Sequence, residues 1–155
     1  MEKNHILMSS LISVIIPTFN RLEELSQAIK SVKSQDYKNY EIIIVDNNSI
    51  DGTEDFIKKI NQKNIKYFKI KNEGNIAKSR NLGIKNSSGE LLAFLDSDDT
   101  WLPKKLSVCI EEMESKNLDL IYHNMKVKKS NSILGKSIGY FRYINKNNAY
   151  NDLIY

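Results

Sequence analysis

Cysteine is nearly absent from this chain: Cys109 is the single thiol in 155 residues, so no disulfide within the chain can staple it. Its neighbours Leu106, Ile110 and Met113 mark Cys109 as an apolar helix position, and no chemistry is assigned to it. Long apolar runs are missing as well. No stretch approaches the roughly 20 residues that span a bilayer, and the start carries neither the apolar core nor the small-residue cleavage site of a secretory signal, so a cytoplasmic location is expected. Lysines are scattered without a dense cluster and the net charge of +4 is modest, so no nucleic-acid surface is expected, whereas an anionic ligand is. The segment from Lys126 to Lys136 has two readings, a solvated basic loop or a peripheral contact with an acidic membrane surface. No G-x-G-x-x-G follows the first apolar run, which argues against a dinucleotide-binding fold.

What is present is ordinary for a soluble domain: 41% apolar and 27% charged residues over a length that predicts one domain, 1–155. Leu11 to Ile16 is a β-branched strand stopped by Pro17, and Asn20 opens a helix with Glu23 at the capping-box position. Leu22, Leu25, Ile29 and Val32 share one face of that helix. Glu41 to Val45 is a second strand, and Asp51 is the N-cap of the next helix. Ile65 to Ile70 is a third strand and Ile76 to Lys85 a third helix, followed by the loop Ser87-Ser88-Gly89. The fourth strand is Leu91 to Leu95, Pro103 begins a helix to about Lys116, and Leu118 to Val127 is a fifth strand. Beyond Lys128 the pattern weakens, with a hairpin over Ile133 to Tyr143 and a helix starting at Ala149. Alternating helices and nearly all-apolar strands predict an α/β fold, a mostly parallel sheet covered on both faces.

The tetrad Asp96-Ser97-Asp98-Asp99 puts three carboxylates directly after the fourth strand. Two readings are open for it, an acidic turn that leads into the next helix or a seat for a hard divalent cation such as Mg²⁺ or Mn²⁺ shared with a phosphorylated ligand. In an open parallel sheet ligands bind beyond the carboxyl ends of the strands. Two other strands also end in distinctive polar sequence, Pro17-Thr18-Phe19-Asn20-Arg21 and Asp46-Asn47-Asn48-Ser49, and their convergence favours the ligand reading.

The blocks Val14 to Arg21, Ile44 to Thr53, Ala77 to Asn81 and Phe94 to Asp99 resemble, in order and spacing, the family 2 glycosyltransferases of the GT-A fold. The resemblance covers residues 11 to about 127. It implies an inverting transferase that passes a sugar from a nucleotide diphosphate donor to an acceptor hydroxyl, in glycan or polysaccharide synthesis, with a lipid-linked or glycan acceptor. Pro17, Thr18 and Phe19 match the loop on the nucleoside, and Asp46 and Asn47 match the acidic pair whose second member accepts a hydrogen bond from the base. Asp96 and Asp98 match the DxD motif, Asp98 as metal ligand and Asp96 facing ribose or metal water, with Ser97 between them at the donor. Arg80 and Lys78 stand where positive charge meets the phosphates, or else line an exposed helix face.

Asn47 departs from the family by carrying an amide where an acid is common; its oxygen still accepts from a base N–H, and thymidine or guanosine donors stay open beside uridine. The family's catalytic acid, placed well beyond the DxD, has no match, so the general base is unassigned and the chain is expected to stop before the acceptor region. Asp152 reads as a helix cap, His123 as a structural strand histidine, and Trp101 either as an acceptor-side wall or as packing under the following helix. Two alternatives remain: a donor-binding piece that transfers little, and a phosphatase of the haloacid dehalogenase type, since Asp96-Ser97-Asp98-Asp99-Thr100 fits D-x-D-x-T.

Overall fold

A computed structural model describes residues 9–122 and the backbone of 128–129 and 132–133. Four strands form a parallel sheet in the order β3-β2-β1-β4: β1 Ile12–Thr18, β2 Tyr40–Asp46, β3 Ile65–Lys69 and β4 Leu91–Phe94. Helices α1 Leu22–Lys33, α2 Thr53–Ile60 and α3 Ile76–Lys85 connect them, and α4 Lys105–Lys116 follows β4. The chain divides into two compact units between Ser107 and Val108. The first holds the sheet and the residues considered below. In the second, α4 ends where Asn117 turns to φ 51° and Leu118 N donates to the Met113 carbonyl at 2.9 Å. No helix of the described residues is long and apolar enough to cross a membrane.

The continuous apolar runs of β1 and β2 follow from their central place: every residue of β1 and all but Tyr40 of β2 are buried. Each fully buried isoleucine or valine there contributes about 1.5–3 kcal/mol by leaving water. On one face Ile15, Ile43 and Val45 pack with Phe68, Ile70 and Leu82 of the α3 side. Gly83 permits the close approach of α3, since a Cβ there would fall 2.5 Å from the Ile15 side chain. That contact fixes the height of α3 on the sheet, and so the place of Arg80 one turn earlier.

Several local expectations are corrected. Pro17 does not stop β1; it lies inside it, opposite Val45. Ile15 O accepts from Leu95 N at 3.1 Å, so the polar backbone groups of Pro17, two residues on, face the same side, where β4 has already ended. The missing N–H of Pro17 therefore breaks no ladder. Asn20 does not cap α1: the N-cap is Arg21, without a side-chain bond, and Asn20 sits at φ 47° with its Oδ1 accepting from Ile50 N at 2.8 Å. The first turn of α1 is capped instead from the neighbouring loop, by Asp51 Oδ2 on Leu22 N at 2.8 Å. Gly52, at φ 90°, takes the N-cap of α2, while Asp51 Oδ1 accepts from the Thr53 hydroxyl at 2.7 Å and from its N–H at 3.2 Å.

α3 keeps its expected bounds and is capped by Asn75, whose Oδ1 accepts from Ala77 N at 3.0 Å. α4 begins two residues after Pro103, which lies in the preceding turn. No strand runs over 118–122, where Leu120 is an isolated bridge residue. Beyond that point β5 Lys128–Lys129 pairs antiparallel with β6 Ser132–Ile133. His123, the remainder of the expected hairpin, the helix from Ala149 and Asp152 lie outside the described residues.

Candidate nucleotide-sugar site

The carboxyl ends of the strands gather the polar sequence blocks on one rim. The tetrad forms a single turn in which Asp99 N donates to the Asp96 carbonyl at 3.0 Å, with Ser97 buried between the two acids. Both acid side chains are about half exposed and each holds one arginine. Arg80 Nη2 lies 2.8 Å from Asp96 Oδ1, and Arg21 Nη1, from the loop after β1, pairs with Asp98 Oδ2. One oxygen of each carboxylate, Asp96 Oδ2 and Asp98 Oδ1, has no partner among the described residues.

Two buried polar atoms at this rim lack hydrogen-bond partners among the described residues, Thr18 Oγ1 and Arg80 Nε. Buried polar atoms are nearly always paired, so two orphans beside the acidic turn mark a place where a ligand or ordered water completes the bonding. Phe19, next to Thr18, is 53% exposed and offers its ring to the rim, while Pro17 is buried in β1. Lys78 turns to Glu73 at 2.8 Å on the exposed face of the loop and helix, leaving Arg80 as the α3 cation that meets the acids.

Asp46 is placed differently from the rest. It is fully buried; its Oδ1 accepts from Ser49 N at 2.9 Å and Ser49 Oγ at 2.5 Å, and its Oδ2 from the Tyr67 hydroxyl at 2.5 Å. Burial first, and then the bond to Asp46, push the Tyr67 phenol well above its ordinary value, so it stays a donor. Ser49 Oγ in turn accepts from Asn20 N at 2.8 Å. Asp46 thus ties the loops after β1 and β2 together rather than opening onto the rim. Asn47 is half-buried beside it. Its Oδ1 accepts from Asn72 N at 2.8 Å, and because a backbone N–H can only donate, the orientation of this amide is fixed. Nδ2 has no partner among the described residues, and Oδ1 keeps a second lone pair with which to accept.

Trp101 is buried, its backbone N–H donating to Ser31 Oγ at 3.0 Å and its ring lying 4.0 Å under Lys105 Nζ, which is the packing role. Cys109 is a half-buried α4 residue. Sequence reading gave no role to Arg21, whose partner stands 77 residues away; the signal was its place in a rim-forming block.

The donor set suits a hard cation. No group of three His, Cys, Asp or Glu able to hold a metal occurs among the described residues, but Mg²⁺ and Mn²⁺ need only one or two carboxylates when a diphosphate fills other positions. Asp98 Oδ1 and Asp96 Oδ2 are oxygen donors of that kind.

An open parallel α/β sheet with acids, arginines and unpaired donors at its carboxyl rim has the groups that a phosphorylated ligand calls for. Residues 13–153 match the family model described as glycosyl transferase family 2, and the chain belongs to that family with the GT-A fold. It is 35% identical over 128 residues to the Escherichia coli UDP-Glc:alpha-D-GlcNAc-diphosphoundecaprenol beta-1,3-glucosyltransferase WfgD, covering 83% of this chain and 51% of that protein. It is 41% identical over 108 residues to the Campylobacter jejuni GalNAc(5)-diNAcBac-PP-undecaprenol beta-1,3-glucosyltransferase, covering 65% of this chain and 34% of that one. Among solved structures, S. aureus TarS 1-349 in complex with UDP-GlcNAc superposes with a TM-score of 0.64 at 30% identity, over 70% of this chain and 32% of that one. The chain spans about half or less of the length of these relatives. The phosphatase alternative has no support among these comparisons.

Proposed function

We propose that this chain binds a nucleoside diphosphate sugar at the carboxyl rim of its sheet and serves an inverting glycosyl transfer to an acceptor hydroxyl. The observation that carries the reading is the convergence of Asp96, Asp98, Arg21 and Arg80 with the unpartnered buried atoms Thr18 Oγ1 and Arg80 Nε. Uridine diphosphate glucose as donor and a diphosphate-linked lipid glycan as acceptor are supported by the names of the relatives. Such an acceptor brings the protein to a membrane surface as a peripheral partner.

Asp98 and Asp96 would hold a divalent cation, which supplies Lewis-acid stabilisation of the departing diphosphate. In the transfer the acceptor oxygen bonds to the anomeric carbon as its bond to the diphosphate breaks, the bonding pair leaves with the phosphate, and the acceptor proton passes to a base. No described residue is assigned as that base. Arg80 adds fixed positive charge where the leaving group gains negative charge. Phe19 lies against the nucleoside, Thr18 Oγ1 gains its missing bond, and Asn47 Nδ2 donates to a carbonyl oxygen of the base. Asp46 acts as a positioning residue through Ser49 and Tyr67.

Thermal melting of the 155-residue chain with Mn²⁺ and UDP, GDP or dTDP tests the reading. UDP with Mn²⁺ is expected to raise Tm by several degrees, and Asp98→Ala to remove most of that rise. Absence of any shift with all three nucleotides would sink the proposal.

A further inference from the structure

Arg21 and Arg80 both neutralise the acidic turn, but they are held in different ways. Arg80 is anchored on α3, its side chain 36% exposed and its Nε fully enclosed. The Arg21 side chain is 48% exposed, precedes the first turn of α1 on a non-helical backbone at φ −141°, and has Asp98 as its one partner among the described residues. The oxygen it occupies belongs to one of the two acids proposed above to hold a cation. A guanidinium on Oδ2 and a divalent cation on Oδ1 of the same carboxylate repel each other at close range, so each weakens the other's hold.

We propose that Arg21 is an exchangeable counter-charge for Asp98: it neutralises the carboxylate before ligand arrives, is displaced when a cation–diphosphate complex binds, and then pairs with the diphosphate oxygens. The proposal deepens the nucleotide-sugar reading and rests on it. Without Arg21, Asp96, Asp98 and Asp99 would repel an approaching diphosphate, and with Arg21 fixed on Asp98 the cation alone gains little. Charge balance therefore favours cation and diphosphate arriving together. The loop around Arg21 suits such a swing: Asn20 N donates to Ser49 Oγ and Leu22 N to Asp51 Oδ2, so the backbone on either side is tied and the movement falls to the Arg21 side chain.

The consequence is a pair of changes of opposite sign. In Arg21→Gln, Mn²⁺ alone no longer competes with a guanidinium, so its affinity rises about two- to five-fold, the scale of an exposed ion pair. UDP in saturating Mn²⁺ loses a charge-assisted partner and binds about ten-fold more weakly. Electron paramagnetic resonance of free Mn²⁺ gives the first quantity and titration calorimetry with UDP the second. Arg21→Lys, which keeps the charge, is expected to fall between wild type and Arg21→Gln in both. Weaker Mn²⁺ binding in Arg21→Gln, or UDP binding unchanged, would overturn the inference. If wild type itself binds no nucleotide with Mn²⁺, the nucleotide-sugar reading fails first, so the two failures are distinguishable.

Discussion

Glu41 at the amino end of the sheet and the acidic turn at its carboxyl end hold their carboxylates in opposite ways. At the amino end Glu41, only 6% exposed, is saturated: its Oε1 accepts from Ser13 Oγ and Ser88 N, each at 2.6 Å, and its Oε2 lies 2.7 Å from Lys66 Nζ. Ser13 Oγ accepts in turn from Gly89 N at 2.8 Å, and Lys66 Nζ also reaches Ser88 Oγ at 2.8 Å. At the carboxyl end Asp96 and Asp98 are half exposed, hold one arginine each, and leave an oxygen apiece open beside unpaired donors. A satisfied network fixes backbone, whereas an unsatisfied one waits for a ligand. The difference separates the acid that builds the fold from the acids available for chemistry.

Breaking the amino end should cost the most stability. Glu41→Ala strands Lys66, Ser13 and Ser88 N, and a loss of about 2–4 kcal/mol in urea denaturation is expected. A loss below about 1 kcal/mol would mean that the network is slack. Gly89→Ala attacks the same end by sterics, because a Cβ would lie 2.6 Å from the Leu11 carbonyl and 2.7 Å from Ser13 N, backbone atoms that cannot step aside. About 1–3 kcal/mol is expected from this overpacking, with nucleotide binding preserved at the far end.

The smallest effect is on pH dependence. Burial pushes the Glu41 carboxyl up, but the bonds from Lys66, Ser13 and Ser88 outweigh it and hold the group below the usual carboxylate range. Its contribution is thus present above the unfolded value, about 4.3, and lost as pH falls through the lower folded value. Stability curves of wild type and Glu41→Gln should converge on that acid limb; parallel curves would contradict the assignment.

Elements set by local periodicity were legible in the sequence: β3 from Ile65, α3 over Ile76–Lys85 and the buried stripe Leu25, Ile29 and Val32 of α1. What escaped depends on partners distant in sequence. Pro17 stays in its strand because β4 stops short beside it, and α1 is capped by Asp51, 29 residues away, while Asn20 serves Ile50. The rim acids and the β1 loop were readable as blocks, yet their pairing with Arg21 and Arg80, the enclosure of Asp46 and the bond that orients the Asn47 amide are tertiary facts. Glu41 carried a signal of its own, an acid at the start of an otherwise apolar buried strand, which must find partners to stay charged.

The most direct measurement is a pair of melting curves, with and without Mn²⁺ and UDP, on Asp98→Asn and Glu41→Gln. Asp98→Asn is expected to melt close to wild type when ligand-free and to lose the ligand-induced rise, whereas Glu41→Gln should melt lower yet keep that rise. A full ligand shift in Asp98→Asn together with its loss in Glu41→Gln would contradict the division of labour between the two ends of the sheet.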